Sequence, residues 1–492
     1  MSAPDGEHGR RLSPLDGSFL RLDSPQAHMH VGWSAVFAAP GDDDERPTVE
    51  GLREKAAGRL HEVPWCRWRL EEAPLGLSEP RWVDDADFDL SAHIVQLTEP
   101  GDHVSEATFT ALRSTVLSTP LDRSRPLWQI FLVPCLEDGR IGIVGKIHHS
   151  LVDGIAALQI VALVVDDESG AASKPAVRWQ PDGRSGSAAR ALSAMADAAG
   201  AGVEAAYAGA AAAVRPETAV RGALRVAGRL LSAARKDVLP RAPDSVLNVP
   251  IGARRTLVGY HASRADLRAA RAGVGGTLND VGLAVVAGAL RALALKEDGG
   301  PPEAPFKAMV PVSMRGAKEA GSGNRISMVY IQLPVHLESP RDRMEWVKGQ
   351  TRQLKHTDRP AATQTLYQTA GLLPPPLRSP LTKAMSAPRV FNLTVSQSPA
   401  PRGGLHVGGC ELQEVYSVVP IAQGHALAIG MVRYRQELFF GCYADPDALP
   451  AVDDLPALLE AELHALGAES PAKAAPDAQA NGQDPAEVTA VP

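Results

Sequence analysis

The sequence predicts an α/β fold of two halves, each a mixed β-sheet with helices, joined by a helical connector. Three observations lead to this prediction. The chain has 492 residues, which is too long for one hydrophobic core. Strand-like and helix-like runs alternate up to about residue 167 and resume from about residue 249. The region between them is rich in alanine, which favours helix.

The predicted segments follow one another along the chain. They are a disordered N-terminus (1–11), an N-terminal half (12–180), an Ala/Arg-rich helical connector (181–245), a C-terminal half (246–466) and a disordered tail (467–492). The connector begins where Pro, Gly, Ser and Arg become frequent. The tail has almost no large apolar residues, so it cannot bury enough surface to fold.

One stretch of the N-terminal half predicts a strand, a turn and a helix. The run IGIVGKI (Ile141–Ile147) is short, apolar and rich in β-branched residues, as in a buried strand. The run IAALQIVALVV (Ile155–Val165) is longer and densely apolar, as in a buried helix. The segment between the two runs therefore lies at the end of a strand.

Composition excludes several classes of protein. The net charge of −7 provides no basic field for nucleic acid, so we expect no nucleic-acid partner. Four cysteines without a C-x-x-C pair indicate neither a zinc knuckle nor a disulfide framework, which fits a reduced, cytoplasmic compartment. The polar N-terminus lacks the apolar core of a signal peptide, and no uninterrupted apolar run reaches the roughly 18–20 residues that span a bilayer.

Two adjacent histidines lie in the turn after the predicted strand, in KIHHSLVDGIAAL (Lys146–Leu158). Histidine has a reference pKa of about 6.5, so it can accept a proton from a hydroxyl near neutral pH. Asp153 follows His149 by four residues and can orient its ring or brace the backbone. Gly154 permits a sharp turn. Alternation along a strand sends His148 and His149 to opposite faces, so the two rings have different roles.

Other interpretations of the histidines stay open on spacing alone. A histidine on a strand is more often a packed structural residue than a catalytic one. A metal site is disfavoured, because adjacent rings on opposite faces do not chelate one ion and no second cluster supplies further ligands. We therefore expect no metal.

His-His-Ser-Leu-Val-Asp-Gly resembles the H-H-x-x-x-D-G motif of the CoA-dependent acyltransferase superfamily. Further stretches resemble one branch, the bacterial wax ester synthase/acyl-CoA:diacylglycerol acyltransferases. They are PLDGSFL (Pro14–Leu20), RPLWQIFLV (Arg125–Val133), NDVGLAVVAGALR (Asn279–Arg291), VPVSMR (310–315) and GNRISMVYIQLP (Gly323–Pro334). The resemblance extends from about residue 12 to 466, in the order expected for that branch.

The resemblance implies chloramphenicol-acetyltransferase-like halves with an active-site channel between them. It makes His149 the general base and Asp153 an orienting residue, and it gives His148 a structural or channel role. It assigns Gly154, Asn279 and Asp280 to substrate binding. The sequence around Asn279 also reads as a helix cap, because TLND has the spacing of a capping box.

The implied reaction moves a long-chain acyl group from acyl-CoA, a co-substrate, to diacylglycerol or a long-chain alcohol, without a further cofactor. Direct transfer is expected, because the chain has no G-x-S-x-G elbow and Ser150 points away from the face that His149 uses. Two alternatives are another CoA- or carrier-dependent acyltransferase, such as a condensation enzyme, and a catalytically silent lipid-droplet binding protein.

Lipid substrates imply peripheral contact with the inner face of the membrane or with lipid droplets. Residues 214–241 contain seven basic and two acidic residues, and Arg221, Arg225 and Arg229 follow one face of a predicted helix. This pattern could belong to an interfacial helix that attracts anionic lipid head groups, but we favour a solvated linker helix. In PLDGSFL, a turn is predicted at Asp16-Gly17, with Phe19 and Leu20 packed inward.

Overall fold

A computed structural model of the chain describes most of both predicted halves. The described residues are 10–41, 45–72, 79–99, 101–152, 154–168, 179–181, 240–313, 326–354, 375–398 and 403–468. Most of the predicted connector (181–245) and nearly all of the predicted tail (467–492) lie outside them, as does the arginine pattern at 221–229.

The described residues form both α-helices and β-strands. The helices are α1 (Pro14–Leu22), α2 (Val49–Arg59), α3 (Glu106–Ser118), α4 (Gly154–Val164), α5 (Arg264–Ala272), α6 (Leu278–Asp298), α7 (Pro340–Leu354), α8 (Pro375–Met385) and α9 (Leu455–Ala468). The strands are β1 (Arg10–Arg11), β2 (His30–Phe37), β3 (Trp68–Glu71), β4 (Arg81–Asp84), β5 (Ile94–Gln96), β6 (Trp128–Val133), β7 (Ile141–His148), β8 (Asp166–Asp167), β9 (Thr256–Ala262), β10 (Phe306–Ser313), β11 (Ile326–Leu333), β12 (Leu393–Ser398), β13 (Leu405–Val407), β14 (Cys410–Val418), β15 (Leu427–Tyr434) and β16 (Glu437–Ala444).

The first large sheet has seven strands in the order β5-β6-β7-β2-β14-β13-β8. The β5–β6 pair is parallel, and the pairs around β7 and β2 are antiparallel. β7 is an inner strand between β6 and β2, and all of its eight residues are buried, as its continuous apolar run requires. A separate sheet of three strands, in the order β1-β4-β3, lies in the same half of the chain.

The second large sheet has six strands in the order β11-β10-β12-β15-β16-β9. β10, β12 and β15 are parallel, and the outer pairs are antiparallel. α9 packs on α5, α6 and β9 on this side of the molecule. Both large sheets are therefore mixed and carry helices, as the sequence predicts.

The two sheets are interlocked by a strand exchange that the sequence does not predict. β13 and β14 belong to the segment 246–466, yet both pair into the first sheet. β14 also crosses closely over β15 and β16, where Gly430 pairs with Gly441. A Cβ atom added at Gly430 would lie 2.0 Å from the Ser417 Oγ atom, and one at Gly441 would lie 2.6 Å from the Ser417 carbonyl oxygen. Only glycine permits so close a crossing.

The local predictions around the histidine motif and Thr277 are confirmed. β7 and α4 match the predicted strand and helix almost residue for residue. α6 begins after Thr277, whose side chain accepts the Asp280 N–H while the Asp280 carboxylate accepts the Thr277 N–H. This helix is long and apolar enough to cross a membrane, but most of the stretch Leu278–Glu297 is buried, so it packs as a core helix.

The predicted turn at Asp16-Gly17 is wrong. Ser13 and Asp16 form a reciprocal capping box, and Pro14 follows the cap, so the segment continues as α1. Phe19 and Leu20 are buried, as predicted. The prediction of disorder through residue 11 is also wrong at its end, because β1 pairs with β4.

Candidate active site

The turn between β7 and α4 directs the two histidines into different surroundings. His148 is the last residue of β7 and pairs with His30 on β2. The His149 N–H donates to the Met29 carbonyl at 2.8 Å, which holds the turn against the start of β2. The predicted alternation is therefore observed: His149 lines a pocket, and His148 is buried on the other face of the sheet.

The His149 side chain is held on two sides. Its Nδ1 atom lies 3.2 Å from the Val152 carbonyl oxygen, which can only accept a hydrogen bond. Nδ1 therefore carries the proton in the neutral ring, and Nε2 is the basic nitrogen. The Phe19 ring stacks on the imidazole with ring centroids 3.9 Å apart and planes 8° from parallel. The ring is thus fixed in both tautomer and plane.

The pocket beside His149 lies between the two large sheets. Its lining residues from β2 are Val31, Gly32, Trp33, Ala35 and Phe37, in which the odd-numbered side chains follow the period of a strand. β14 and α4 add further apolar side chains, and β10, β12 and β15 close the pocket from the second sheet. The walls are mostly apolar, so the pocket suits a hydrocarbon chain.

Hydroxyl groups interrupt this apolar wall. Ser396, Ser398 and Ser417 line the pocket, and Ser417 lies at the strand crossing. The Ser417 Oγ atom is buried and has no hydrogen-bond partner among the described residues. A buried hydroxyl without a partner is unfavourable, so this atom is available to a polar group on a bound molecule.

His148 belongs to a separate hydrogen-bond network. Its Nδ1 atom accepts the Ser150 N–H at 3.1 Å and lies 2.7 Å from the Ser150 hydroxyl. The proton of the neutral ring is therefore on Nε2, which lies 3.7 Å from the Asp23 carboxylate. Asp23 also accepts the Met29 N–H at 3.1 Å and an Arg123 N–H at 2.8 Å. Ser150 is fully buried in this network and does not line the pocket.

Electrostatics keep the buried rings near His148 neutral. Burial lowers the pKa values of His28, His30 and His148, and the Asp23 carboxylate only partly opposes this effect. Burial would raise the pKa of Asp23, but the contact with the His148 ring and the hydrogen bonds from Met29 and Arg123 outweigh this effect and hold that pKa well below its usual range. Asp23 is therefore an anion that faces a row of neutral rings.

Of the other predicted site residues that the structure describes, none lines this pocket. Gly154 is the first residue of α4. Asp280 caps α6 and accepts a hydrogen bond from Thr351, and neither Asp280 nor Asn279 lines the pocket. Asp153 lies outside the described residues. The assignments of Gly154, Asn279, Asp280 and Asp153 to the site stay predictions.

Sequence reasoning missed several residues of this region. It treated Phe19 only as an inward-packed residue and did not consider Asp23. His28 and His30 are two residues apart in HMHVGWSAVF, a spacing that predicts one face of a strand. That spacing was the available signal for a histidine row beside the motif. Among the described residues, no group of three His, Cys, Asp or Glu side chains is arranged to hold a metal ion.

Two protein-family models match the chain. The model for the wax ester synthase/diacylglycerol acyltransferase catalytic domain matches residues 12–282, and the model for the WS/DGAT C-terminal domain matches residues 322–467. A Mycobacterium tuberculosis protein that carries the name diacylglycerol O-acyltransferase is 31% identical over 447 residues, which covers 89% of this chain and 91% of the relative. A second protein of that species and name is 29% identical over 445 residues, with coverages of 89% and 91%.

Solved structures resemble the whole fold. The wax ester synthase/diacylglycerol acyltransferase from Marinobacter aquaeolei VT8 has a TM-score of 0.65 and 24% identity, and the match covers 94% of this chain and 99% of that one. The first condensation domain of the CDA synthetase has a TM-score of 0.56 and 17% identity, with coverages of 96% and 98%. At these identities the likeness concerns the fold, and it confirms the predicted fold class.

Proposed function

Because the chain belongs to the wax ester synthase/diacylglycerol acyltransferase family and is an acyltransferase, we propose that His149 is the general base that activates the acceptor hydroxyl. The acyl group comes from a long-chain acyl-CoA, and the acceptor is diacylglycerol or a long-chain alcohol. The observation that carries this proposal is the position of His149, with its basic Nε2 atom, on an apolar pocket between the two sheets.

The proposed step exchanges one bond to the acyl carbon for another. His149 Nε2 takes the proton of the acceptor hydroxyl as the oxygen attacks the thioester carbonyl. The C–O bond forms, the C–S bond breaks, and the imidazolium returns its proton to the departing CoA sulfur. The Nδ1–H bond to the Val152 carbonyl supports this role, because it keeps the ring in the tautomer that presents a lone pair at Nε2.

The shape of the pocket supports a long hydrocarbon chain. The lining residues of β2 run from Val31 to Phe37, a length of roughly 20 Å at about 3.3 Å per residue. An extended chain bound along this strand would bury most of its surface against apolar side chains. The names of the two mycobacterial relatives support diacylglycerol as an acceptor.

A turnover assay tests the proposed function. Purified protein is given palmitoyl-CoA with dioleoylglycerol or with hexadecanol, and ester products are separated and counted. We expect ester formation with at least one acceptor and loss of it in His149→Ala, whose fold is checked by circular dichroism. A folded His149→Ala variant that keeps more than about a third of the wild-type rate would remove His149 as the base.

We further propose that transfer is direct, with both substrates bound at once. Ser150, the nucleophile nearest to His149 in sequence, is buried with His148 and does not line the pocket. Mixing enzyme with acyl-CoA alone should therefore release no stoichiometric burst of CoA. An acyl group trapped on a side chain, and discharged as fast as turnover, would contradict direct transfer.

We also propose that the protein contacts the membrane peripherally from the cytoplasmic side. Lipid acceptors dissolve in membranes or droplets, and the basic pattern of residues 214–241 would suit anionic head groups. Flotation with phosphatidylcholine vesicles, with and without phosphatidylglycerol, tests this contact. Equal absence from both vesicle fractions would contradict it.

A further inference from the structure

The imidazole of the proposed base stacks on an aromatic ring that does not line the substrate pocket. Phe19 lies face to face with His149, with 3.9 Å between ring centroids and 8° between planes. It is 7% exposed and does not line the pocket. Phe19 can therefore affect the reaction only through its contact with the His149 imidazole.

The element that carries Phe19 is fastened to the turn that carries His149. α1 begins at the Ser13–Asp16 capping box, and Asp23 caps its C-terminal end through an N–H that donates to the Phe19 carbonyl at 3.0 Å. The Asp23 carboxylate accepts the Met29 N–H, and the Met29 carbonyl accepts the His149 N–H. A chain of hydrogen bonds thus connects the backbone of His149 to the helix that carries Phe19, and this connection sets the distance between the two rings.

This arrangement has a chemical consequence, because His149 changes charge during the proposed step. The neutral imidazole becomes an imidazolium as it takes the hydroxyl proton. The face of an aromatic ring carries negative electrostatic potential and attracts a cation within about 6 Å, most strongly where water is excluded. An aliphatic side chain would fill the same space without this attraction.

We propose that Phe19 is a positioning residue that fixes the plane of the His149 ring and stabilises its protonated form in the transition state. The inference rests on the proposed role of His149 as general base. The stabilisation exists only after proton transfer, so it lowers the barrier without strengthening substrate binding. Loss of the ring face should therefore lower kcat and leave KM for acyl-CoA unchanged.

The test changes the charge distribution of the ring and keeps its shape. Phe19 is replaced through a reassigned codon by mono-, di- and trifluorinated phenylalanine, in which each fluorine weakens the negative potential of the ring face. We expect kcat to fall stepwise, to about a tenth of the wild-type value with three fluorines, at constant KM. Phe19→Leu should lose at least as much, and Phe19→Tyr should keep most of kcat.

A matched control lies elsewhere in the chain. Phe439 stacks on His261 with centroids 4.4 Å apart and planes 6° from parallel, and neither residue lines the pocket. The same fluorinated series at Phe439 should leave kcat unchanged. The inference is overturned if trifluorination at Phe19 leaves kcat within twofold of wild type, or if Phe439 shows the same decline. Activity in a folded His149→Ala variant would instead refute the proposed function, so the two failures are distinguishable.

Discussion

The strand crossing between the two sheets predicts a large effect from one methyl group. In Gly430→Ala, the new Cβ atom would lie 2.0 Å from the Ser417 Oγ atom and 2.9 Å from the Ser417 carbonyl oxygen. Both distances are far below van der Waals contact. Gly430 is in the interior of β15 and paired on both sides, so its backbone cannot move away without breaking the sheet.

The size of the effect follows from these two overlaps. Overpacking a well-packed core typically lowers the free energy of unfolding by about 1–3 kcal/mol. One of the overlapping atoms is a backbone oxygen that cannot rotate away, so we expect a loss of about 3 kcal/mol. Ser417→Ala removes the hydroxyl, which is the nearer of the two atoms. The double variant should therefore recover roughly 1–2 kcal/mol of this loss.

Urea unfolding of the wild type, both single variants and the double variant measures this coupling. Gly349→Ala is the matched control, because an added Cβ at this glycine of α7 meets nothing within 4 Å. That substitution should raise the free energy of unfolding by up to about 1 kcal/mol, since alanine favours helix. Wild-type stability in Gly430→Ala, or no recovery when Ser417 is truncated, would refute the interpretation of the crossing.

Four further predictions concern the site and the fold. His149→Ala should lower the turnover rate by about 10²–10⁴-fold in palmitoyl-CoA assays while the melting temperature stays near that of the wild type. Asp23→Asn should lower the free energy of unfolding by about 1–3 kcal/mol in urea titrations, because it weakens the charged hydrogen bonds to Arg123 and Met29. Burial lowers the pKa of His425 to about 4 in the folded protein. Between pH 6.5 and 4, His425 is therefore protonated in the unfolded chain but neutral in the folded protein. About 3 kcal/mol should therefore be lost between pH 6.5 and 4, and a urea midpoint unchanged over this range would contradict it. Prolonged treatment with EDTA should leave activity unchanged, whereas a loss that zinc or magnesium restores would reveal a metal requirement.

The sequence predicts well those parts of the molecule that depend on neighbouring residues. The apolar run of β7 and the capping box of α6 each carry their own signal within a few residues, and both elements form as predicted. The opposite orientation of His148 and His149 follows from strand alternation alone. These predictions needed no knowledge of distant contacts.

The error at α1 shows two local signals in competition. Asp16-Gly17 is a common turn pair, and it outweighed Ser13 and Pro14, which mark the start of a helix. In the structure, the Asp16 carboxylate accepts the Ser13 N–H, so the same residue that suggested a turn closes the helix cap. The capping interpretation predicts the observed helix.

The remaining features of the site depend on long-range contacts that no local pattern contains. Phe19 meets His149 only because α1 packs against the end of β7, and Asp23 approaches His148 for the same reason. The entry of β14 into the first sheet joins residues from opposite ends of the chain. Spacing along the sequence does not encode such pairings.

The placement of β14 beside β2 affects how this protein can be made. Phe37 pairs with Leu412, so β2 lacks one neighbour until nearly the whole chain has left the ribosome. At about 5–20 residues per second, the delay between their synthesis is roughly 20–75 s. During that time the unpaired edge of β2 would be exposed, together with the Trp33 and Phe37 side chains that later face the second sheet, and such a surface is prone to aggregation. Nascent chains should therefore need chaperone protection until β14 arrives.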